Sequence, residues 1–305
     1  MGFIRLIRLF NLVIIALTMF GVRLYLSQFN PEVEVVTLPF LLLVVSTVFI
    51  AAAGNIINDY FDVRADRINR PKKVVIGRSI KRRWAIVLHW IFNIIAVLIG
   101  LYLSWLFKSV QLLLILFTAT VLLWWYSVSL KKKPIIGNVV VSLLSVLVLY
   151  LSLLLVELEF PIANMLDVSL IDKVFFVPIF RVVFAFMICA FMQNLAREIV
   201  KDVEDVKGDL AIRAKTLPML IGGKKALQLV ALLVLIFPVY YFVNVVFTIS
   251  NFNWLKGMPI TLAALMNLVI VIIVFVAKEE TVVRISKVLL KLSMVLGLLY
   301  LFIVQ

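Results

Sequence analysis

Cysteine and histidine are almost absent from this chain of 305 residues, which contains one of each. Cys189 lies inside an apolar run, so an internal disulfide, a zinc finger and a paired-thiol redox centre are all excluded. His89 has no second histidine with which to share a metal ion, and its place at the start of a hydrophobic run predicts an interfacial side chain. A metal site, if the chain has one, must therefore use oxygen ligands.

Charged residues are also scarce, at 15% of the chain against about a quarter in soluble domains, while apolar residues make up 65%. This composition excludes a soluble globular domain. Apolar runs recur that are long enough to cross a hydrocarbon core, which takes roughly 20 residues of helix. Because lipid forces each span to pair its own backbone groups, we predict an all-α, polytopic membrane protein that forms one domain over residues 1–305.

The apolar runs predict nine transmembrane helices. Arg5 and Arg8 precede the first run, and no small-residue cleavage site follows it, so we expect a retained helix rather than a signal peptide. The other eight spans are predicted at 38–57, 84–106, 110–129, 136–156, 174–195, 226–248, 259–277 and 285–304.

The net charge of +14 could indicate a nucleic-acid partner, but no soluble module is large enough to hold a duplex, and we expect none. The basic residues instead cluster in alternate loops, as the positive-inside rule requires of cytoplasmic segments. The short loops on the other side, at 30–37, 158–172 and 250–257, carry few of them. This distribution predicts a cytoplasmic N-terminus and an outer C-terminus.

Two groups of three aspartates, which we call the triads, stand out in a chain with only sixteen acidic residues. Both have the spacing i, i+3, i+7, which places three side chains on one face of a helix. Four predicted spans separate them, so both are expected on the cytoplasmic side. The first triad is Asp59, Asp62 and Asp66, and the second, 143 residues later at each position, is Asp202, Asp205 and Asp209.

The triads predict a magnesium-dependent diphosphate site. Carboxylates and an amide oxygen such as that of Asn58 are hard ligands that suit Mg²⁺, which completes its shell with water and substrate phosphates. Nine Lys and Arg residues within Asn58–Arg83 can contact phosphate directly. At the mouth of an apolar helical bundle, this set favours binding of an allylic prenyl diphosphate and ionisation of its C–O bond.

Two other uses of such residues stay open at this stage. A stretch in which Asp and Arg alternate is also typical of a solvated surface whose charges pair with one another. Carboxylates of ion-coupled transporters are a second possibility, but those lie at mid-membrane in broken helices, whereas these triads lie at span ends. Two triads of identical spacing favour the diphosphate site.

The same residues resemble the motifs of the UbiA superfamily of intramembrane prenyltransferases. NDYFDVRAD, residues 58–66, resembles the first aspartate-rich motif of the family, and DVEDVKGD, residues 202–209, resembles the second. Shorter matches lie in order along the chain: Arg8 and Asn11, Asn69-Arg70-Pro71, Tyr126 with Lys131-Lys132, Gly137-Asn138, and Lys215-Thr216-Leu217.

The resemblance implies a nine-helix bundle around a central cavity, with cytoplasmic cap helices and an active site that faces the cytoplasm of a prokaryotic cell. It implies Mg²⁺ bound to the substrate diphosphate by Asn58, Asp62, Asp66, Asp205 and Asp209. The residues assigned to catalysis are Asp62, Asp66, Asp205, Asp209, Lys131 and Tyr126. The residues assigned to substrate binding are Asn11, Asp59, Arg67, Arg70, Lys73, Asp202 and Lys215.

The segment Arg197–Pro218 looks most like the digeranylgeranylglyceryl phosphate synthase branch of the family. This likeness implies that a geranylgeranyl group moves from its diphosphate to the hydroxyl of geranylgeranylglyceryl phosphate, whose own phosphate would use part of the basic surplus. An aromatic acceptor of quinone biosynthesis, such as hydroxybenzoate or homogentisate, remains the alternative, because an aromatic acid would also seek a cation. An ion-coupled transporter is the remote alternative.

Overall fold

The computed structural model describes residues 2–28, 32–160, 178–248 and 254–303. Within these ranges the regular elements are helices, and nine of them are long and apolar enough to cross a bilayer. The prediction of an all-α, polytopic membrane protein is therefore confirmed. The predicted outer loops lie largely outside the described residues, since 29–31, 161–177 and 249–253 are not among them.

The helices fall into two halves along the chain. The first half contains α1 (Gly2–Ile7), α2 (Leu9–Ser27), α3 (Leu38–Asn69), a 3₁₀ turn (Pro71–Lys73), α4 (Arg82–Leu106) and α5 (Val110–Val128). The second half contains a 3₁₀ turn (Leu130–Lys132), α6 (Ile136–Glu159), α7 (Pro178–Ala211), α8 (Leu217–Ile221), α9 (Gly223–Thr248), α10 (Trp254–Val276) and α11 (Glu279–Ile303).

Helices α3 and α7 are longer than a membrane span. They contain 32 and 34 residues, or roughly 48 and 51 Å at 1.5 Å per residue, against a hydrocarbon core of about 30 Å. The predicted spans 38–57 and 174–195 are their apolar parts, of which 174–177 lie outside the described residues. Each triad therefore stands on the continuation of a spanning helix.

Local chemistry explains where α3 begins and ends. The hydroxyl of Thr37 accepts a hydrogen bond from the Phe40 amide at 3.3 Å, and Pro39 occupies the first turn, where its missing N–H costs nothing. Arg70 precedes Pro71, and a proline disfavours helical geometry in the residue before it. Arg70 accordingly leaves the helix with φ −144°, which turns its side chain toward α7.

The bundle closes because its two halves pack on each other as well as internally. One core, shared by α2 to α6, includes the buried Phe40, Leu43 and Leu155. The other, shared by α7 and α9 to α11, includes the buried Val230 and Ile270. Helix α3 packs on α7, and α2 packs on α6 and α11. These contacts bring the C-terminal ends of α3 and α7 together.

His89 corrects one expectation from the sequence. Its side chain is buried rather than interfacial. One ring nitrogen lies 3.0 Å from the carbonyl oxygen of Ala53 on α3, and Asn93 lies within hydrogen-bonding distance one turn further along α4. The imidazole thus serves the packing of α4 on α3, a tertiary contact that a single sequence does not reveal.

A buried ion pair joins three helices at the end of the bundle opposite to the triads. Arg23 on α2 is fully buried, and its Nη2 lies 2.6 Å from Oε2 of Glu159 at the end of α6. The same guanidinium donates to the carbonyl oxygen of Glu34 at 2.7 Å and to the Thr37 hydroxyl at 3.1 Å, and it stacks over the Phe40 ring at 4.6 Å. These contacts tie α2, α3 and α6 together.

Removing the Glu159 carboxylate should destabilise the protein. In Glu159→Ala the buried Arg23 guanidinium would lose its counter-charge, and breaking a buried pair in this way costs about 3–5 kcal/mol. We expect a clearly lower midpoint of thermal unfolding for the purified protein in detergent. Glu34→Gln is the matched control, because it keeps the main-chain carbonyl that Arg23 uses. Equal midpoints for wild type and Glu159→Ala would contradict this role.

Candidate active site

The first triad lies on one face of α3, near the end of that helix. The side chains of Asp59 and Asp62 are 21% and 19% exposed, so both are partly shielded from water. Asn58, one residue earlier, is buried, and its amide oxygen has no hydrogen-bond partner among the described residues. A buried oxygen that lacks a donor and lies beside carboxylates is suited to ligate a cation.

The end of α3 docks directly on the second triad. Nδ2 of Asn69 donates to the Asp205 carbonyl oxygen at 3.1 Å, and its Oδ1 accepts from the Gly208 amide at 2.9 Å. A side chain at Gly208 would collide with Asn69. Arg70 donates to both carboxylate oxygens of Asp205, at 2.8 and 2.9 Å. Hydrogen bonds thus join Asn69 to Asp205, which is 136 positions later in the sequence. The two triads therefore meet at one end of the bundle.

Lys131 reaches the first triad from the turn between α5 and α6. Its ammonium group bonds the Asp62 carboxylate. Burial lowers the pKa of Lys131, and the attraction of Asp62 offsets part of that change. The turn is held by two close contacts: the Lys215 amide donates to the Lys132 carbonyl oxygen at 2.9 Å, and the bare Gly137 packs against the Lys131 backbone.

The leading aspartate of each triad is held by a neighbouring helix. Arg8, at the break between α1 and α2, places Nη2 2.7 Å from Oδ1 of Asp59. Its backbone has φ 55° and ψ 54°, the left-handed conformation that allows this break. On the other side, Nδ2 of Asn138 on α6 donates to Oδ2 of Asp202 at 2.8 Å. Both carboxylates therefore have a set orientation.

Lys201 lies at the electrostatic centre of the site, and the sequence reasoning missed it. It interacts electrostatically with all six aspartates of the triads. Its ammonium group is 3.7 Å from Glu198 one turn earlier on α7, and the lysine side chain is 36% exposed. The signal in the sequence was helical spacing, because Glu198, Lys201 and Asp205 recur at intervals of three and four residues.

Tyr126 also belongs to the site. This residue, near the end of α5, interacts electrostatically with Lys201, Asp62 and Asp202, so it faces both triads. The neighbouring Trp124 and Trp125 are about half exposed on the outside of the bundle. The two tryptophans are therefore placed as in an aromatic belt at the membrane interface, whereas Tyr126 belongs to the site.

Four residues assigned to substrate binding are not brought to the aspartates by any described contact. Asn11 is exposed on α2, and the Lys215 side chain is exposed although its backbone holds the turn of Lys131. Arg67 follows Asp66 by one residue, which rotates it by about 100° around α3, and it lines a separate cleft. The side chain of Lys73 lies outside what the structure describes.

The donor set fits a hard divalent cation that binds together with a substrate. Among the described residues, no three carboxylates are clustered closely enough to hold a metal ion by themselves. Four of the six aspartates instead lie beside a cation or an amide: Asp59 beside Arg8, Asp62 beside Lys131, Asp202 beside Asn138 and Asp205 beside Arg70. The unpartnered oxygen of Asn58 lies on the same helix as the first triad. Mg²⁺ commonly takes only one or two carboxylates and completes its shell with substrate phosphates and water, which agrees with this open arrangement.

Comparison with known proteins agrees with the motifs. A model of the UbiA prenyltransferase family matches residues 10–295. Two relatives are named digeranylgeranylglyceryl phosphate synthase. The one from Thermococcus kodakarensis is 31% identical over 268 residues, which cover 88% of this chain and 84% of that protein. The one from Pyrococcus abyssi is 35% identical over 196 residues, which cover 64% of this chain and 60% of that protein.

Solved structures share the fold. The structure of a digeranylgeranylglyceryl phosphate synthase superposes with a TM-score of 0.62 at 26% identity, over 99% of this chain and 96% of that one. A UbiA homologue from Archaeoglobus fulgidus, bound to GPP and Mg²⁺, superposes with a TM-score of 0.57 at 17% identity over 99% of this chain and the whole of that one. The chain belongs to the UbiA prenyltransferase family and is an integral, multi-pass membrane enzyme.

Proposed function

We propose that this enzyme transfers a geranylgeranyl group from its diphosphate to the free hydroxyl of geranylgeranylglyceryl phosphate and releases diphosphate, in a magnesium-dependent reaction. The observation that carries the proposal is the docking of α3 on α7, through Asn69 and Arg70, which brings the two triads to one end of an apolar bundle. The names of the two relatives support the lipid acceptor.

The ligands of Mg²⁺ in this proposal are Asn58, Asp62, Asp66, Asp205 and Asp209. The unpartnered Asn58 oxygen supports the assignment, and so does the homologue bound to GPP and Mg²⁺. The bound ion supplies Lewis-acid stabilisation of the negative charge that develops on the departing diphosphate. Asp59 and Asp202, which Arg8 and Asn138 already hold, flank these ligands.

The cations of the site are proposed to move from protein carboxylates to substrate phosphate. Lys131 pairs with Asp62 and Arg70 pairs with Asp205. Were these carboxylates to hold Mg²⁺, the two cations and Lys201 would be free to contact the diphosphate oxygens. The ion pairs therefore keep the charged groups in position for a substrate that is itself strongly anionic.

In the proposed reaction the bond between C1 of the donor and its diphosphate oxygen breaks, and the electron pair leaves with the diphosphate. The acceptor hydroxyl oxygen bonds to C1 and loses its proton, which an oxygen of the released diphosphate can take. Tyr126 faces the reacting end of the chain and offers an aromatic ring to the positive allylic carbon. The surrounding apolar helices exclude water, which would otherwise consume that carbon.

The acceptor is the least constrained part of the proposal. An aromatic acid would also bind beside cations, but the relatives named above carry the name of a lipid-forming enzyme, which favours geranylgeranylglyceryl phosphate. Family membership favours an enzyme over an ion-coupled transporter. The positive-inside rule supports a site that faces the cytoplasm of a prokaryotic cell, because the basic residues cluster around the triad end.

Neutralising one carboxylate in each triad should nearly abolish transfer. For Asp62→Asn and Asp205→Asn we expect kcat/KM to fall by a factor of roughly 100 or more, because each change removes charge from the ligand set that stabilises the transition state. Pyrophosphate release is measured in membranes with added Mg²⁺. Glu280→Gln, an exposed carboxylate at the start of α11, is the control. Full activity in both triad variants would refute the metal assignment.

Lys201→Gln should weaken catalysis although the sequence motifs do not include this lysine. Loss of one charge-assisted contact to diphosphate corresponds to a decrease in kcat/KM of roughly 10- to 100-fold. Lys207→Gln makes the same change of charge on the same helix, at an exposed position that helical spacing turns away from Asp205 and Asp209. If both variants behave alike, Lys201 has no specific role at the site.

The acceptor is tested by product identification. Membranes that contain the enzyme are incubated with labelled geranylgeranyl diphosphate, Mg²⁺ and either geranylgeranylglyceryl phosphate or hydroxybenzoate. We expect an ether lipid in the first case and no prenylated aromatic in the second. A prenylated aromatic product without ether lipid would overturn the acceptor while leaving the prenyltransferase assignment intact.

A further inference from the structure

A charged cleft lies on the other side of α3 from the triads. It has a volume of about 410 Å³ and lies between the end of α3, the loop that follows it and the first turn of α4. We call it the arginine cleft. Its lining residues are Val63, Arg64, Arg67, Ile76, Gly77 and Arg82.

Three arginines give the arginine cleft a strong positive charge. Among the described residues, no carboxylate forms an ion pair or a hydrogen bond with Arg64, Arg67 or Arg82. The recorded contact of Arg82 is with the Tyr60 ring, at 5.4 Å. The first turn of α4 contains no acidic residue. Three guanidinium groups that share one cavity repel one another unless an anion lies between them.

The arrangement around Gly77 keeps the cleft open. This residue has φ 84°, a left-handed conformation that side chains other than glycine's rarely adopt, and its amide donates to the Ile80 carbonyl oxygen at 2.8 Å. A Cβ at this position would approach the Arg67 guanidinium to 4.0 Å. The bare backbone of Gly77 therefore lines the cleft close to Arg67.

The residues beside the cleft indicate where its ligand comes from. Phe61 and Ile68 lie one turn before and after Arg64 on α3 and are 41% and 50% exposed, and Trp84 at the start of α4 is 55% exposed. Large apolar side chains that flank basic ones at the end of a spanning helix are typical of the membrane interface. A topology signal requires only charge in this loop, whereas these three exposed arginines line one cleft.

We propose that the arginine cleft binds a phosphate group at the membrane interface. The planar guanidinium groups of Arg64, Arg67 and Arg82 would hold the phosphate oxygens, because a guanidinium group binds phosphate in bidentate geometry. Its source is either the headgroup of an anionic lipid, whose chains would lie along Phe61, Ile68 and Trp84, or free phosphate from solution. The volume suits a headgroup rather than a whole lipid.

The test measures binding to the full-length protein with two probes. In one arm the protein is reconstituted in phosphatidylcholine nanodiscs with or without phosphatidic acid, and the retained lipid is measured by native mass spectrometry. In the other arm inorganic phosphate is titrated against the protein in detergent, and the shift of the thermal midpoint is followed. Both arms use wild type, the double variant Arg64→Gln/Arg82→Gln and the control Arg284→Gln, an exposed arginine on α11.

Each outcome decides the proposal. A lipid headgroup is identified if wild type and Arg284→Gln retain phosphatidic acid preferentially and retention falls roughly tenfold for each arginine lost. Free phosphate is identified if phosphate shifts the thermal midpoint of wild type but not of the double variant, and no lipid is preferred. Binding of neither probe to wild type, or equal binding to the double variant, overturns the proposal. Arg64→Lys/Arg82→Lys guards against misfolding, since it keeps the charge but loses bidentate geometry and should bind weakly.

Discussion

The contact between the end of α3 and the middle of the α7 extension is the constraint on which the rest of the structure depends. Six carboxylates in one place repel strongly, and the two triads come from helices separated by 143 residues of sequence. Asn69 and Arg70 join those helices by bonding both the backbone and the side chain of Asp205. Without that join, the acidic residues would be two unrelated surfaces rather than one site.

The cations around the triads explain how such a site can exist before substrate arrives. Arg8, Arg70 and Lys131 each pair with one aspartate, and Lys201 interacts with all six. The pairs of Arg8 with Asp59 and of Arg70 with Asp205 are partly exposed, and such pairs contribute little to stability, so they can be exchanged for contacts with phosphate at small cost. The ion pairs hold the basic side chains in position and leave them able to change partner. Binding of a highly charged diphosphate requires both properties.

The sequence predicted the features that depend on local pattern and composition. Span number followed from apolar run length, and the shared face of Asp59, Asp62 and Asp66 followed from helical spacing. Features that depend on tertiary contacts escaped prediction: His89 is buried because α4 packs on Ala53, and Lys201 is central because α7 turns its face toward α3. Arg67 shows that a motif does not place every one of its residues at the site. It follows Asp66 by one position on α3, so its side chain points in another direction and lines the arginine cleft.

The two ends of the bundle are held in physically different ways, and the difference suits the reaction. At the end opposite to the triads, Arg23 and Glu159 form a pair that is shielded from water, so separating them would leave a buried charge without its counter-charge. At the triad end the exposure is uneven: the pairs of Arg8 and Arg70 are partly exposed, whereas Lys131 and Asp62 are largely shielded from water. For the proposed reaction, this difference would let a charged headgroup bind at the triad end while the Arg23–Glu159 pair keeps the opposite ends of α2 and α6 together. In that proposal the allylic carbon lies among the apolar helices, from which water is excluded.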